Sequence, residues 1–464
     1  MTTKARNIVD ESPLTKFHIK LTLFSSGGPF LDGYILSIVA MALIPLNKSF
    51  EISDFWNGML GSSALIGIFI GGILFGYLSD RVGRESMYRI DLLAFLVLSV
   101  LQVFATSVEM LFFLRLLLGI AIGADYPIAT SLLTEFAPKK YRGKMIGFMT
   151  VSWYIGATIA YFVGYYLLSF GPDAWKWMLG SSAIPTIIVL LMRLNTPESP
   201  RWLLANGQQE KALKIMKSIY GDDTTLADIP SAPAQKPSLS KLFSPVYRRR
   251  TIFVMLFWNF QLIPMFAIYT FAPTLLETFN LNKGDLSHIG SAFISVLFLI
   301  GCTVAMFTID RIGRRALCIW GFFFTTIALL GLGLVPEASS WVIISLFFMY
   351  AFFAGAPAIL EWAYPNELFP TEIRGTAVGF ATTVTRIGAS IGTFGLPILL
   401  ASFGVGPTML IAGGLNIIGL LVSILMAPET KNRPLGEVSN EELEYYGINE
   451  NNLDNLGLEQ VKKF

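Results

Sequence analysis

Charged side chains are scarce in this chain of 464 residues. Asp, Glu, Lys and Arg make up 14% of the sequence, whereas they are about a quarter of a soluble domain. Hydrophobic residues make up 53%. This balance excludes a large soluble enzyme and predicts an all-α polytopic membrane protein, whose first partner is the lipid bilayer. The formal net charge of +2 does not favour a nucleic acid partner, and none is predicted.

The residues that build metal sites, disulfides and nucleotide sites are also few. The sequence has two histidines and two cysteines. Cys302 and Cys318 both fall in apolar segments, where cysteine is expected to behave as a small buried hydrophobe. A glycine-rich phosphate loop ending in Lys and Ser or Thr is missing, which argues against ATP as the energy source. We therefore predict neither an enzyme nor a bound cofactor or metal ion.

Long apolar segments are the main feature of the sequence. A helix that crosses a bilayer needs about 20 mostly apolar residues. Twelve segments meet that criterion: 19–44, 55–78, 88–107, 109–133, 143–169, 177–195, 251–277, 287–308, 316–335, 341–364, 376–402 and 407–427. The predicted divisions are an N-terminal segment (1–18), a six-helix half (19–195), a polar central loop (196–250), a second six-helix half (251–427) and a tail (428–464). Within the central loop, Glu210–Tyr220 has the pattern of an amphipathic helix.

Lysine and arginine are distributed unevenly between the loops. One set of loops holds the bases of the central loop and Arg81, Arg84, Arg89, Lys139, Lys140, Arg142, Lys144, Arg311, Arg314, Arg315 and Arg374. The opposite set holds only Lys48, Lys176 and Lys283. Because basic loops stay on the cytoplasmic side, both termini and the central loop are predicted to be cytoplasmic.

Three short polar sequences each occur twice, at matching ends of corresponding spans. Asp80-Arg81-Val82-Gly83-Arg84 recurs as Asp310-Arg311-Ile312-Gly313-Arg314. Glu135-Phe136-Ala137-Pro138 recurs as Glu367-Leu368-Phe369-Pro370, and Pro197-Glu198-Ser199 as Pro428-Glu429-Thr430. Two six-helix halves repeated in parallel are the plan of alternating-access transporters, so the duplication predicts movement of a small molecule across the membrane.

With these motifs the chain resembles the major facilitator superfamily over residues of about 15–435, within its sugar-porter and metabolite:proton symporter branches. It is similar to uncharacterised enterobacterial inner-membrane metabolite transporters of that group. The resemblance implies the major facilitator fold, with 12 transmembrane helices in two six-helix halves. It also implies a location in the plasma (inner) membrane and function as a monomer.

In that family the repeated loops are implied to lock the outward-facing state. The predicted gating residues are Gly76, Asp80, Arg81, Gly83, Arg84, Asp310, Arg311, Gly313, Arg314, Glu135, Arg142, Glu367 and Arg374. Two departures weaken the match, since Glu85 stands where a basic residue is usual and Met306 replaces the first glycine of the second copy. We therefore expect the first copy to be the stronger gate. The alternative is that these loops only supply the positive charge that sets orientation.

Charged residues inside a membrane are unfavourable unless they are paired or face a cavity, so each is a functional candidate. At about 1.5 Å per residue, Asp32 lies roughly 20 Å from the cytoplasmic end of the first span, and Arg115 roughly 9 Å from the external end of the fourth. These depths coincide in a core about 30 Å thick, which predicts an Asp32–Arg115 ion pair. Protonation of Asp32 would break the pair and couple a proton to a conformational change. A purely structural pair is the alternative.

A second acid lies in the fourth span. Asp125-Tyr126-Pro127 resembles the Asp-Tyr-Pro of phosphate:proton symporters, which implies proton transfer by Asp125 and substrate contact by Tyr126. Asp32 also matches those symporters, because sugar porters carry their acid three residues later, where this chain has Ile35. The predicted proton-coupling residues are therefore Asp32, Asp125 and Arg115.

The predicted substrate-binding residues are Arg386, Gln261, Tyr126, Trp362 and Glu361. Arg386 lies near the middle of the eleventh span, where a guanidinium favours a carboxylate or phosphate by offering two parallel donors. Glu361 is either a second titrating group or the partner of Arg386.

The polar side chains that sugar porters present from the seventh span are depleted in this chain. Gln261 matches one glutamine of their binding pair, but Phe260 replaces the other and Phe266 replaces an asparagine. The depletion favours an organic acid or sugar acid over a neutral sugar.

These observations predict a secondary active transporter that imports a small polar metabolite with protons by alternating access. A proton-antiporting exporter of amphiphilic compounds and an uncoupled facilitator are the alternatives. A transporter-like sensor is a further alternative, although such sensors carry longer tails. The identity of the substrate does not follow from a single sequence.

Overall fold

The computed structural model describes residues 8–82, 84–138, 140–193, 197–226, 239–279, 286–431, 433 and 438. Within these ranges it describes the side chains except those at 10, 76–82, 84–86, 88, 124–131, 134, 201, 205, 286–288, 371 and 372. Every regular element in the described ranges is helical. The α-helices are α1 (Ile8–Glu11), α2 (Lys16–Phe50), α3 (Asp54–Val82), α4 (Arg84–Val103), α5 (Val108–Phe136), α6 (Arg142–Leu167), α7 (Ala174–Gly180), α8 (Ala183–Arg193), α9 (Pro200–Ala205), α10 (Gln209–Tyr220), α11 (Leu239–Leu242), α12 (Arg248–Thr270), α13 (Ala272–Thr278), α14 (Leu286–Ile312), α15 (Arg314–Leu334), α16 (Ser340–Leu368), α17 (Thr371–Phe403) and α18 (Val405–Met426).

All twelve predicted spans fall on these helices. Ten helical stretches in the described part of the chain are long and apolar enough to cross a membrane, and the other two predicted spans lie on α4 and α5. The observed helices extend beyond the apolar segments. For example, α2 has 35 residues where the sequence predicts 19–44. Hydropathy marks only the part of a helix that lies in hydrocarbon, whereas backbone hydrogen bonding carries the helix into the polar ends.

Two predicted spans are broken helices, and proline explains both breaks. The sixth span divides into α7 and α8 at Ser181 and Ser182. Pro185 has no N–H for the carbonyl of Ser181, and the Ser181 hydroxyl donates to the carbonyl of Met178 at 2.6 Å. The seventh span divides at Phe271, and Pro273 lies in the first turn of α13, where its missing donor is harmless.

The chain forms two compact units. The first comprises residues 1–50 and 63–236, and the second comprises residues 51–62 and 237–464. In the first unit α2 packs along α6, and α4 packs against α5. In the second unit the main helix pairs are α12 with α17, α15 with α16 and α18, and α14 with α16. The first turns of α3 therefore group with the second unit rather than with the predicted N-terminal half.

The amphipathic helix predicted at Glu210–Tyr220 is present as α10. Its apolar face, which includes Ala212 and Met216, packs into a buried cluster with Phe136 and Met145 of the first unit. The hydroxyl of Tyr220 donates to the carbonyl of Phe136 at 2.9 Å, at the end of α5. The central-loop helix is thus attached to the first unit by both apolar burial and a hydrogen bond.

Both cysteines behave as predicted. Cys302 and Cys318 are free thiols and fully buried. The Cys318 sulfur lies 3.2 Å from the hydroxyl of Ser423 on α18. Neither thiol is positioned for a disulfide, and neither is accessible to a water-borne reagent.

Candidate functional site

The buried carboxylate of Asp32 has an indole as its partner. Asp32 lies inside α2 and is 1% exposed. The Nε1–H of Trp153, on α6, donates to its Oδ2 oxygen at 2.8 Å. A hydrogen bond to a buried charged group is stronger than one between neutral groups. Trp153 therefore fixes the direction of the Asp32 carboxylate.

Two glycines allow α2 and α6 to come together at this point. A Cβ atom at Gly33 would lie 1.9 Å from the carbonyl oxygen of Trp153. A Cβ atom at Gly156 would lie 2.0 Å from the carbonyl oxygen of Phe30. Since real Cβ atoms never approach so closely, only glycine permits this crossing. The Asp32–Trp153 hydrogen bond thus depends on Gly33 and Gly156, which lie close in sequence to its two partners.

Arg115 is buried on α5 of the same unit, at 1% exposed. Its Nε–H donates to the hydroxyl of Ser63 on α3 at 3.2 Å. The approach of α3 and α5 again depends on glycine, because a Cβ atom at Gly119 would lie 2.1 Å from the carbonyl oxygen of Ala64. Depth along a span correctly predicted that both side chains are buried, and the Asp32–Arg115 ion pair stays a prediction.

Asp125 and Tyr126 lie on α5, three turns beyond Arg115. Their side chains lie outside the described residues. The roles predicted for them stay predictions.

In the second unit, the predicted substrate residues Glu361 and Arg386 lie in one neighbourhood. Glu361 on α16 is 8% exposed and Arg386 on α17 is 5% exposed. The two side chains interact electrostatically, and the indole of Trp258 on α12 lies beside the Glu361 carboxylate. The guanidinium carbon of Arg386 lies 5.5 Å from the centre of the Phe266 ring, within range of a cation–π interaction.

Gln261 and Trp362 lie on the helices that carry Trp258 and Glu361. Gln261 on α12 is 4% exposed, and neither its amide nitrogen nor its amide oxygen has a hydrogen-bond partner among the described residues. Trp362 follows Glu361 on α16, and its ring meets Trp258 edge to face, with centroids 5.7 Å apart. Buried polar groups are normally hydrogen-bonded, so an unsatisfied buried amide is a feature expected of a binding site.

The second copy of the loop sequence forms a network of charges. Arg314, at the start of α15, donates to both carboxylate oxygens of Glu367, at 2.8 and 3.2 Å, and to Asp310 at 3.0 Å. Thr430 donates to the other side of Glu367. Glu429 accepts from the backbone N–H groups of Arg314 and Arg315, at 3.0 and 3.2 Å, which caps α15.

Glycine at position 313 is required by this network. Gly313 has a positive φ of 98°, and a Cβ atom there would lie 2.5 Å from Glu429. Arg311, which is also predicted to gate, is exposed, and its carbonyl accepts a hydrogen bond from the Lys431 ammonium at 2.6 Å.

The first unit repeats part of the same network. Ser199 donates to Glu135 as Thr430 does to Glu367. Arg142 donates to the carbonyl of Ala137 at 2.9 Å, and its counterpart Arg374 donates to the carbonyl of Phe369 at 3.2 Å. The duplicated sequences therefore build duplicated contacts. The side chains of Asp80, Arg81 and Arg84, the surroundings of Gly76 and the whole of Gly83 lie outside what the structure describes.

Sequence reasoning did not pair the hydroxyls of Ser199 and Thr430 with the two glutamates. The signal was available, since both follow a Pro-Glu pair at matching positions. No comparable feature of the sequence identifies Trp153 as the donor to Asp32, because an aromatic side chain inside an apolar span usually only packs against its neighbours.

Comparison with known proteins decides the family. The model of the family described as "Sugar (and other) transporter" matches residues 22–441. This chain belongs to that family, in the major facilitator superfamily. It is 42% identical over 435 residues to the protein YaaU of Escherichia coli (strain K12), covering 93% of this chain and 96% of YaaU. It is 35% identical over 432 residues to the inner membrane metabolite transport protein YgcS of the same strain, covering 93% and 96%.

The fold of this transporter is also found among solved structures. The proton:xylose symporter XylE of the major facilitator superfamily, bound to 6-bromo-6-deoxy-D-glucose, is similar with a TM-score of 0.73 at 25% identity. The match covers 92% of this chain and 99% of that one. The resemblance stated from the repeated loops is therefore confirmed, as are the helical membrane fold and the assignment to transporters rather than enzymes.

Proposed function

We propose that this transporter imports a small organic acid, such as a sugar acid, together with protons. Its membership of the family supports transport, and the relative XylE is named a proton:xylose symporter. The two units with repeated loop contacts support alternating access. The observation that carries the choice of substrate is the buried guanidinium of Arg386, because a fixed cation inside an apolar span suits a carboxylate.

Each predicted substrate residue has a task in this proposal. Arg386 binds the carboxylate, and the Phe266 ring beneath it restricts the guanidinium without neutralising it. The amide of Gln261 both donates to and accepts from a substrate hydroxyl. Trp362 forms an apolar wall, and Tyr126 stays a predicted substrate contact.

Asp32, Asp125 and Arg115 handle the proton in the first unit. Asp32 is buried in a membrane span, where a charged group is unfavourable. Protonation removes this charge and changes the balance between conformations. Asp125 passes the proton along the fourth span.

The repeated loop contacts act as gates. Arg314 holds α15 to the end of α16 through Glu367, and Thr430 ties the segment after α18 to the same carboxylate. Breaking such a network is a discrete event, which suits a two-state transporter. The other predicted gating residues lie at equivalent positions of the two repeats and stabilise the gates in the same way.

The relatives support an integral inner membrane protein, since YgcS is named for that membrane. We further propose that both termini and the central loop lie in the cytoplasm, as the distribution of bases indicates. A monomer suffices for the proposed cycle, because both units are in one chain.

Uptake into proteoliposomes tests the substrate class. Gluconate and glucuronate are each compared with glucose, using an inward proton gradient. The proposal expects accumulation of at least one acid and little glucose. It also expects Arg386→Gln to abolish acid uptake, while Arg248→Gln, at an exposed arginine of the same unit, leaves it unchanged. Accumulation of glucose alone would contradict the substrate class, and uptake without dependence on the gradient would indicate a facilitator.

A further inference from the structure

A proline interrupts the hydrogen bonding of α2 one turn before Asp32. Pro29 lies inside this helix and has no N–H, so the carbonyl of Ser25 loses the bond that residue 29 would donate. Ser25 is 2% exposed, which keeps this carbonyl away from bulk water. A buried carbonyl is normally hydrogen-bonded, and inside a membrane span a neighbouring helix can supply the missing donor.

The donor at this point is a buried arginine of α8. Arg193 lies in the last turn of α8 and is 6% exposed. Its Nε–H donates to the carbonyl of Phe24 at 3.1 Å, and its Nη2 group donates to the carbonyl of Ser25 at 3.5 Å. A guanidinium presents its N–H groups in a fixed fork, so it can bind two consecutive carbonyls. These carbonyls form the negative end of the helical segment 16–28, which favours a cation beside them.

α6 holds the same segment of α2 by a second bond. The hydroxyl of Ser152 on α6 donates to the carbonyl of Ser26 at 3.1 Å. The close approach of α8 depends on glycine, because a Cβ atom at Gly27 would lie 2.7 Å from the side chain of Val189. Segment 16–28 is therefore held by two helices of the first unit, and both hydrogen bonds are made to its backbone.

Beyond Pro29, α6 holds α2 by a side chain instead. Trp153 follows Ser152 on α6 and donates to the Asp32 carboxylate at 2.8 Å. Two adjacent residues of α6 thus bind α2 on either side of Pro29. The bond to a backbone carbonyl keeps its strength throughout transport, whereas the bond to Asp32 weakens when the carboxylate gains a proton. Since helices bend at proline, Pro29 is suited to be a pivot between these two contacts.

The choice of an arginine for this position also points beyond simple stability. Hydroxyls of serine or threonine can satisfy the carbonyls that a proline leaves free in a membrane span. Arg193 lies within the predicted sixth span (177–195), where a buried charge is unfavourable and is a functional candidate. A charged donor binds a carbonyl more strongly than a hydroxyl does, which suits a contact that must resist a moving helix.

We propose that Arg193 is a positioning residue for Asp32. By binding the carbonyls next to Pro29 it holds segment 16–28 in place, so that segment 29–50, which carries Asp32, turns about Pro29 during transport. The proposal rests on the proposed function, which assigns a proton to Asp32, and adds the residue that converts release of this proton into a movement of α2. Without Arg193, segment 16–28 moves as well, and the release of the proton no longer drives the turn.

Proteoliposomes that contain the full-length protein test this role, with labelled gluconate and glucuronate as probes. Arg193→Met keeps a long side chain but removes every donor. We expect its gradient-driven uptake to fall about fivefold or more, as expected for the loss of a charged hydrogen bond. Exchange of labelled for unlabelled acid should fall less than about twofold, because Asp32 need not release its proton during exchange. Arg193→Lys, which still donates to a carbonyl, should recover most of the uptake.

Lys16→Met is the matched control. It makes the same kind of change at an exposed position of segment 16–28 and should behave as wild type. Equal losses of uptake and exchange by Arg193→Met would show a purely structural role and overturn the proposal, as would unchanged uptake. Both results leave the proposed function standing, since the wild type still accumulates the acid. A wild type that accumulates neither acid overturns the proposed function and the positioning role together.

Replacing the proline supplies a second measurement, which does not depend on transport. Pro29→Ala returns the missing N–H to the carbonyl of Ser25, so Arg193 has less to stabilise. The fall in melting temperature caused by Arg193→Met should therefore be smaller in the Pro29→Ala background than in the wild type. If Arg193→Met alone does not fold, the double variant should fold. An equal fall in both backgrounds, or a double variant that also does not fold, overturns the proposal.

Discussion

At the scale of single residues, each of three buried charged side chains contacts a different kind of group. Asp32 accepts from an indole, Arg115 donates to a serine, and Arg386 lies over a phenyl ring. The sequence alone identified these residues, because any charge inside an apolar span is unusual. It could not identify their partners, since tryptophan and serine are common in spans. Depth along two helices gives the level of each side chain but not its direction, so the Asp32–Arg115 pair stays a prediction.

Replacing Trp153 tests the partner of Asp32. Trp153→Phe keeps the ring but removes the donor to a buried carboxylate, so stability should fall by about 1.5–3 kcal/mol. The measurement is the melting temperature of the purified protein in detergent. Trp177→Phe, at a position 57% exposed in the same unit, is the matched control and should have little effect. Equal melting temperatures for the two variants would show that the indole hydrogen bond is unimportant.

At the scale of helices, close approach through glycine positions the functional side chains. The sequence predicted the helices and their order well, because apolar segments of sufficient length can only be spans. The breaks at Ser181 and Phe271 were not predicted, although Pro185 and Pro273 were visible. Proline inside a span is often tolerated, as at Pro29 and Pro45 of α2, so its effect depends on packing.

Gly33→Ala should be strongly destabilising. The new Cβ atom would lie 1.9 Å from the backbone oxygen of Trp153, so α2 and α6 must separate. Overpacking of this kind costs about 3 kcal/mol or more. Gly414→Ala, where no atom lies within 4 Å, should be neutral or slightly stabilising. Thermal unfolding of both variants checks the prediction, and equal values would mean that the helices do not cross as described.

Arg314→Gln tests the network at the start of α15. The change removes the paired hydrogen bonds to Glu367 but touches none of the proposed substrate residues. We expect initial uptake to fall about threefold or more because one conformation loses a stabilising contact, while substrate affinity changes less. Arg248→Gln serves as control. Unchanged uptake by Arg314→Gln would show that these loops act only by setting the orientation of the chain in the membrane.

At the scale of the whole molecule, the two units hold different buried charged residues. The first holds Asp32 and Arg115, and the second holds Arg386, Glu361 and Gln261. The repeats in the sequence predicted two halves, since duplicated motifs imply duplicated folds. The grouping of residues 51–62 with the second unit was not predictable, because α3 is a continuous helix whose apolar pattern gives no sign of a boundary.

The orientation of the whole chain can be tested by labelling. The native cysteines are buried, so a membrane-impermeant maleimide should leave the wild type unlabelled. In intact cells, Asp173→Cys should be labelled and Lys211→Cys should not, because the first lies between α6 and α7 and the second on α10 of the central loop. Inverted vesicles should give the opposite result. Labelling of Lys211→Cys from outside would reverse the proposed orientation.

The central claim is that this transporter couples substrate uptake to protons through buried acids of its first unit. The most direct measurement is accumulation of a sugar acid in proteoliposomes with and without an inward proton gradient, for the wild type and for Asp32→Asn combined with Asp125→Asn. The account predicts gradient-driven accumulation by the wild type. It predicts that the double variant loses accumulation but still exchanges labelled for unlabelled substrate. Undiminished gradient-driven accumulation by the double variant would contradict it.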